Sequence, residues 1–260
     1  MKLLTTDKIK DKIINELKEG KIKNSIHLFS KNPTEEANFY KKMIIKRCVE
    51  FGISYKECEF GDKNISEILT YINTLDENDG YIILAPFGKD DDLTLLKNEI
   101  KLRDLDGFTY KSLGLSMEGD RSSLPATAKA LARFIDDSFS DLRGINITIA
   151  NRTTIIGKPL AAYLISRGAT VTIINSTTNN SKNYIKGSDI FITAIGRANY
   201  YDKSFFKDNM TIIDVGTSFV DGRLMGDVDY ESLEDMNVNV LTNKKGIGVI
   251  TTLCLLNSMQ

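Results

Sequence analysis

Short apolar runs alternate with longer amphipathic segments along the chain from residue 24 onward. This alternation is typical of parallel strands whose connecting helices cover the sheet. In the first half of the chain, the pattern predicts strands at 24–30, 53–59 and 80–86 and helices at 33–51 and 64–75. Gly52 fits the position that follows a helix C-terminus, so it marks the end of the first of these helices.

The second half of the chain continues the same pattern after a helix predicted at 125–137. Further strands are predicted at 145–150, 169–175, 189–196, 210–216 and 238–242, with a hairpin around 220–222 and a closing helix at 249–257. The expected fold class is therefore α/β, with two α/β domains, one of which holds a Rossmann-type parallel sheet. A cleft between the two domains is the expected ligand site.

The charge balance and the cysteine content limit the kinds of partner that the chain is expected to bind. The chain has 34 Lys plus Arg against 35 Asp plus Glu, so nothing in its balance favours nucleic acid or a membrane surface. No apolar run approaches the roughly 20 residues that span a bilayer, and the start does not resemble a signal peptide. Three widely spaced cysteines without metal-type spacing predict reduced thiols in a cytoplasmic protein. Small molecules or another protein are the expected partners.

The stretch ANRTTIIGKP at 150–159 follows the first strand of the second series, where a glycine-rich nucleotide turn is expected. It has a single glycine, Gly157, with Pro159 in the predicted first turn of a helix. Without earlier glycines, side chains such as Arg152 and Thr153 are expected to make some phosphate contacts. By itself, a polar turn of this kind is equally compatible with a plain loop.

The segment after the next strand bears on the choice of nucleotide. NAD enzymes usually have an acidic residue there for the ribose hydroxyls, but 175–178 reads Asn-Ser-Thr-Thr. Because no acid is present and Arg152 is available, a 2′-phosphate is tolerated. The sequence therefore favours NADP over NAD.

Four motifs together resemble the methylenetetrahydrofolate dehydrogenase/cyclohydrolase family, from about residue 24 to the C-terminus. The strongest is IIDVGTSFVDGRLMGDVDYE at 212–231, which is similar to that family's D-V-G…G-x-L-x-G-D-V-D segment. RDLDGF at 103–108 resembles K-D-V-D-G-F, PATAKA at 125–130 resembles P-C-T-P-x-G, and NRTTIIGKP at 151–159 resembles G-R-S-x-x-V-G-x-P. The family's nucleotide turn has only one or two glycines, so a single glycine is normal under this resemblance.

The resemblance implies a discontinuous folate-binding domain at 1–124 with 245–260 and an NAD(P)-binding domain at 125–244. It also implies a homodimer that transfers hydride from a reduced folate, 5,10-methylenetetrahydrofolate, to NADP, with NAD as the alternative. The expected cofactor-binding residues are Asn151, Arg152, Thr153, Gly157, Ser176 and Thr217. Asn151 stands for a family glycine and Thr153 for a serine, and both can form hydrogen bonds.

The folate side of the resemblance is altered. Tyr40 matches the tyrosine of the family's Y-x-x-x-K helix, but Ile44 stands for the lysine that assists attack of water. Leu84 stands for the glutamine of Q-L-P-L-P, which partners that lysine. Asp106 matches the residue that helps to anchor the pterin, so the expected catalytic-site residues are Asp106 and Tyr40. Isoleucine cannot move a proton, so the cyclohydrolase step is predicted to be weak or lost.

Two other differences keep alternatives open. The family's P-V-P-G-G-V-G-P-M-T loop is NKKGIGVIT at 243–251, one residue shorter and without prolines. Lys41, Lys42 and Lys46 do not share the helix face of Tyr40, so none is expected to replace the missing lysine. A non-catalytic nucleotide- or folate-binding homologue and a dehydrogenase of another substrate are the alternative hypotheses.

The remaining titratable residues are expected to be structural. His27 lies inside the apolar run SIHLF, which predicts a histidine of the core or of a strand end. Asp90, Asp91 and Asp92 are interpreted as the acidic first turn of a helix. No metal site is predicted.

Overall fold

The computed structural model describes residues 1–88 and 91–260. The chain forms two compact units, a larger one of residues 1–10, 117–121 and 127–251 and a smaller one of residues 11–116, 122–126 and 252–260. The domain bounds expected from the sequence, 1–124 with 245–260 and 125–244, stay a prediction.

Strands and helices alternate along the chain, which confirms the predicted α/β class. The strands are β1 Lys2–Leu4, β2 Ile26–Ser30, β3 Tyr55–Glu59, β4 Gly80–Ile83, β5 Arg103–Asp104, β6 Asn146–Ala150, β7 Thr170–Ile174, β8 Ile190–Thr193, β9 Thr211–Asp214, β10 Ser218–Val220, β11 Arg223–Met225 and β12 Asn239–Leu241. The α-helices are α1 Asp7–Glu19, α2 Glu35–Phe51, α3 Ile65–Ile72, α4 Thr94–Glu99, α5 Tyr110–Met117, α6 Ala126–Ser138, α7 Gly157–Ser166, α8 Ser181–Gly187 and α9 Ile247–Asn257.

The larger unit is built on a parallel sheet in the order β1-β12-β9-β8-β6-β7. From β6 the chain moves to β7 on one side and then to β8 on the other side. This reversal of strand order is the point at which open α/β sheets bind ligands, beyond the carboxyl ends of the strands. The antiparallel hairpin of β10 and β11 follows β9, at the position that the sequence predicted for a hairpin.

The core of the larger unit packs around β8, whose residues are all buried because helices cover both faces of a parallel sheet. Phe191 on β8 meets Tyr201 edge to face, with ring centroids 4.9 Å apart, and also packs against Phe206. The aromatic cluster stabilises the strands whose carboxyl ends carry the predicted nucleotide residues.

The smaller unit has a parallel sheet in the order β3-β2-β4-β5. Its helix α2 begins where the sequence predicted, because the Thr34 hydroxyl accepts a hydrogen bond from the Ala37 N–H at 3.3 Å. It ends at Gly52, whose φ of 65° is the left-handed conformation that favours glycine. His27 lies buried in β2, as expected, with its Nε2 atom 2.8 Å from an Asp79 oxygen.

The interpretation of 90–92 as a helical first turn was wrong for the acids that the structure describes. Asp91 and Asp92 precede α4, and the Asp92 carboxylate accepts the Thr94 N–H at 2.9 Å. Asp91 forms an ion pair with the buried Lys31. Asp90 lies outside the described residues.

Metal-type clusters and membrane-spanning helices are both absent from residues 1–88 and 91–260. In these ranges no group of three or more His, Cys, Asp or Glu side chains is placed to hold a metal ion. None of the helices within the same ranges has the length and apolar character needed to cross a membrane.

Candidate active site

The predicted cofactor residues lie along one edge of the larger unit's sheet. All strands of this sheet are parallel, so their carboxyl ends share that edge. Asn151, Arg152 and Thr153 directly follow β6, Ser176 follows β7, Thr217 follows β9, and Gly157 begins α7. The structure therefore brings together residues that are up to 66 positions apart in the sequence.

Asn151 organises the turn after β6. Its side-chain oxygen accepts hydrogen bonds from the Thr153 N–H at 2.9 Å and from the Gly157 N–H at 3.0 Å. Its side-chain nitrogen donates to the Ala194 carbonyl oxygen at 2.7 Å, in the loop after β8. An asparagine thus holds the turn in shape and links the two loops on either side of the strand-order reversal.

Gly157 is the one glycine that this turn requires. A Cβ atom at Gly157 would lie 1.8 Å from the backbone oxygen of Asn151, far inside the distance of a normal contact. The residue is buried and starts α7, whose first-turn N–H groups form the positive end of the helix dipole. Close packing of backbone on backbone explains why a glycine stands here while the earlier positions carry side chains.

Arg152, Ser176 and Thr217 are exposed at the same edge. The turn after β7 is held by Asn175, whose side-chain oxygen accepts the Thr177 N–H at 3.0 Å. No carboxylate stands among residues 175–178, so Arg152 and Ser176 present one positive group and one hydroxyl at neighbouring strands. That pair is suited to a phosphate group rather than to the two hydroxyls of an unmodified ribose.

Asp227 holds the loop after β8, a role that sequence reasoning missed. Its carboxylate is fully buried and accepts hydrogen bonds from the Thr193 hydroxyl at 2.7 Å, the Ile195 N–H at 2.7 Å and the Arg197 N–H at 2.8 Å. A Cβ at Gly216 would lie 2.1 Å from this carboxyl group, so the segment before Thr217 packs directly on it.

Asp214 stabilises the turn after β9 in the way that Asp227 stabilises the loop after β8. It accepts the Gly216 N–H at 2.9 Å, the Val228 N–H at 2.9 Å and the Tyr230 hydroxyl at 2.6 Å. Burial raises the pKa of Asp214 to about 6, against the lowering effect of these hydrogen bonds. The signal for both acids was present, since each lies in the D-V-G…G-D-V-D segment, but the motif alone did not reveal that both are buried.

Tyr40 and Asp106 are neighbours in the smaller unit. The pKa of Tyr40 is raised well above its usual value, first by burial and then by the negative charge of Asp106. The Asp106 carboxylate also accepts the Ala126 N–H at 2.6 Å, where α6 begins. Asp106 therefore stabilises a helix start as well as standing beside Tyr40, and the structural and functional interpretations of this residue are compatible.

The positions of the family's lysine and glutamine are held by buried apolar side chains. Ile44 is 0% exposed and Leu84 is 1% exposed. Of the nearby lysines, Lys41 pairs with Glu57 at 3.3 Å on β3, and Lys42 and Lys46 are exposed. Lys42 and Lys46 therefore lie on the exposed face of α2, whereas Lys41 is mostly buried and its ammonium group is held by Glu57.

The fold of the larger unit is that of a doubly wound α/β domain, a class that binds ligands at the strand-order reversal, where the predicted nucleotide turn lies. The family description "Tetrahydrofolate dehydrogenase/cyclohydrolase, NAD(P)-binding domain" matches residues 125–260. The bifunctional protein FolD of Kosmotoga olearia is 36% identical over 234 residues, which cover 88% of this chain and 83% of that protein.

Solved structures agree with this match. The bifunctional methylenetetrahydrofolate dehydrogenase/cyclohydrolase FolD of Campylobacter jejuni has a TM-score of 0.91 and 27% identity over 100% of this chain and 97% of that one. The Trypanosoma brucei dehydrogenase-cyclohydrolase, solved with NADP and an inhibitor, has the same fold with a TM-score of 0.85 and 20% identity, covering 99% and 95% of the two chains. The chain belongs to the tetrahydrofolate dehydrogenase/cyclohydrolase family and is a dehydrogenase of one-carbon folate metabolism.

Proposed function

We propose that this enzyme transfers hydride from 5,10-methylenetetrahydrofolate to NADP and has lost most of the cyclohydrolase activity of its bifunctional relatives. The observation that carries this proposal is the contrast between the two units. The nucleotide turn keeps its packing around Gly157, whereas buried Ile44 and Leu84 stand where water activation needs a lysine and a glutamine.

In the larger unit, the positive end of the α7 dipole is proposed to attract the pyrophosphate of the nucleotide, since the Gly157 and Lys158 N–H groups themselves already donate to Asn151 and Thr153. Arg152 and Ser176 would hold the 2′-phosphate, which favours NADP, and the related Trypanosoma brucei enzyme was solved with NADP. Thr217 would contact the nicotinamide half, at the end of a turn that Asp214 and Asp227 hold rigid. Asn151 contributes by shaping the turn. NAD remains the alternative cofactor if the Arg152 contact is absent.

In the smaller unit, Tyr40 is proposed to pack against the folate rings and Asp106 to anchor the pterin. A bound nicotinamide would supply the hydride acceptor, and the folate's own nitrogen lone pair would stabilise the cationic carbon. The chain's residues therefore need to position the two reactants rather than to move a proton. This step does not depend on the residue at position 44.

Hydrolysis of the methenyl product is different, because it requires an activated water. Loss of a positioned acid–base group costs about 10² to 10⁴ in rate. We expect the purified protein to reduce NADP with methylenetetrahydrofolate but to accelerate methenyl-tetrahydrofolate hydrolysis little above the spontaneous rate.

The double variant Ile44→Lys with Leu84→Gln tests the reason for that loss. Regained hydrolysis would support the proposal that these two positions alone removed the activity. If the double variant folds, keeps dehydrogenase activity and stays unable to hydrolyse the methenyl compound, the missing lysine and glutamine are not the sufficient cause.

A homodimer in the cytoplasm is the assembly that we propose. The hairpin of β10 and β11 exposes Phe219, Val220 and Leu224, and an apolar surface of this kind supports contact with a second copy. Cys48, Cys58 and Cys254 are free thiols, which fits a reducing compartment. Sedimentation analysis of the wild type beside Phe219→Lys would test the dimer.

A further inference from the structure

One phenol oxygen joins three segments of the larger unit. The Tyr230 hydroxyl donates to an Asp214 carboxylate oxygen at 2.6 Å and accepts the Asn243 N–H at 3.1 Å. Asp214 ends β9, Tyr230 follows the G-D-V-D segment, and Asn243 is the first residue of the NKKGIGVIT loop. The hydroxyl therefore connects the end of a central strand to the loop at 243–251.

At one end of this connection, Asp214 contacts the turn that precedes Thr217, a predicted cofactor-binding residue. The second Asp214 oxygen accepts the Gly216 N–H at 2.9 Å, and Gly216 directly precedes Thr217. The packing leaves the hydroxyl little freedom, because a Cβ at Gly226 would lie 2.5 Å from the Tyr230 oxygen and 2.2 Å from the Asp214 carboxylate. The ring of Tyr230 packs against the core cluster of the larger unit.

The Asn243 end is particular to this chain's loop. The family's P-V-P-G-G-V-G-P-M-T loop begins with proline, which has no N–H to donate. Here Asn243 supplies that N–H, and its side-chain oxygen lies 3.4 Å from the same Tyr230 hydroxyl. The loop without its prolines is thus fixed by a hydrogen bond that a proline in the same position could not form.

We propose that Tyr230 is a positioning residue for the dehydrogenase reaction, whose hydroxyl fixes the Gly216–Thr217 turn and the loop from Asn243 to each other. The inference rests on the proposed binding of the nicotinamide half at Thr217. Occupation of the turn by nucleotide and the arrangement of the loop are then coupled through a single side chain.

Tyr230→Phe removes the hydroxyl and keeps the ring. The Asp214 carboxylate loses a donor and the Asn243 N–H loses an acceptor, and hydrogen bonds to charged groups of this kind correspond to about a ten-fold or larger change in an equilibrium constant. We expect the Kd and KM for NADP to rise about ten-fold or more, with a smaller change in kcat. Tyr184→Phe is the matched control, since Tyr184 is exposed on α8.

The pH dependence of NADP affinity distinguishes a positioning role of Tyr230 from a general loss of packing in the variant. The titratable groups that influence Asp214 are Tyr230 and Asp227, and the hydrogen bond from Tyr230 lowers its pKa. Protonation of Asp214 is expected to weaken its hold on the turn and so to lower NADP affinity on acidification. Because Tyr230→Phe removes a hydrogen bond that lowers the pKa of Asp214, the pH at which NADP affinity falls should be higher in this variant than in the wild type. A purely structural defect would weaken binding equally at every pH.

The experiment is NADP titration by calorimetry between about pH 5.5 and 8.5, with steady-state kinetics, on wild type, Tyr230→Phe, Asn243→Pro and the double variant. Asn243→Pro removes the N–H donor together with the side-chain oxygen near the Tyr230 hydroxyl, at a short-helix start that accepts proline. The proposal expects the two single changes to be non-additive, because both break one connection.

Unchanged NADP affinity and pH profile in Tyr230→Phe would overturn the proposal, as would full additivity of the two changes. If Tyr230→Phe does not fold, Asn243→Pro tests the same connection from its other end. Nucleotide binding is measured without turnover, so a wild type that binds NADP but does not oxidise the folate refutes the proposed function and leaves the Tyr230 test intact.

Discussion

Replacing Gly157 by alanine should damage the nucleotide turn more than any other change of one methyl group. The new Cβ would lie 1.8 Å from the Asn151 backbone oxygen and 3.0 Å from its side-chain oxygen, whereas a favourable contact needs about 3.5 Å. The nearest atom belongs to the backbone, so it cannot rotate away. Overpacking of this kind costs about 1 to 3 kcal/mol, which corresponds to roughly 2 to 12 °C in Tm for a chain of this size.

The assay is thermal unfolding with and without NADP, beside the control Gly187→Ala. Gly187 lies in α8 with no atom within 4 Å of an added Cβ, so this control should leave stability unchanged or slightly raised. Gly157→Ala should unfold at lower temperature and lose most of its stabilisation by NADP, because the Asn151 hydrogen bonds hold the turn. A Gly157→Ala protein with wild-type Tm and wild-type NADP stabilisation would refute the packing argument.

Two further predictions concern charge. Arg152→Ala should raise the Kd for NADP about ten-fold or more and leave the Kd for NAD nearly unchanged, since the guanidinium is proposed to meet the 2′-phosphate; equal losses for both nucleotides in titration calorimetry would contradict this role. Asp214 has a pKa raised by burial from 3.8 to about 6, so its contribution to stability is fully present below pH 3.8 and is lost as pH rises through about 6. Urea unfolding of the wild type relative to Asp214→Asn should therefore show a difference that falls by about 3 kcal/mol between these limits, and a difference independent of pH would disprove the assignment.

Much of the fold could be predicted from the sequence because buried parallel strands are continuous apolar runs. The strands β6, β8 and β9 and the capped helix α2 lie where those runs and caps indicated. The short strand β1 was missed, since its residues are mostly exposed and only its pairing with distant β12 makes it a strand.

Helix α1 was also missed, although its signal was present in the sequence. Ile9, Ile13 and Leu17 recur at four-residue spacing, and all three are buried. The apolar face of this helix is recognisable by the same periodicity that predicted the others.

The places of the candidate residues after the strands could be predicted from the sequence, but their contacts with one another could not. Asn151 was expected as a cofactor contact, and only three-dimensional geometry shows that both of its side-chain atoms hold the turn. The buried state of Asp214 and Asp227 depends on β8, β9 and the hairpin meeting around them, which no local pattern encodes. The motifs located these residues in the sequence, and the structure shows which turns they stabilise.

The most direct test of the proposed function follows both reactions in one sample of wild-type protein supplied with 5,10-methylenetetrahydrofolate and NADP. We predict that NADPH and methenyl-tetrahydrofolate accumulate together, and that the methenyl compound then decays at the rate seen without protein, because Ile44 and Leu84 cannot activate water. Decay that accelerates in proportion to enzyme concentration would contradict the proposal that this family member is a dehydrogenase without an effective cyclohydrolase.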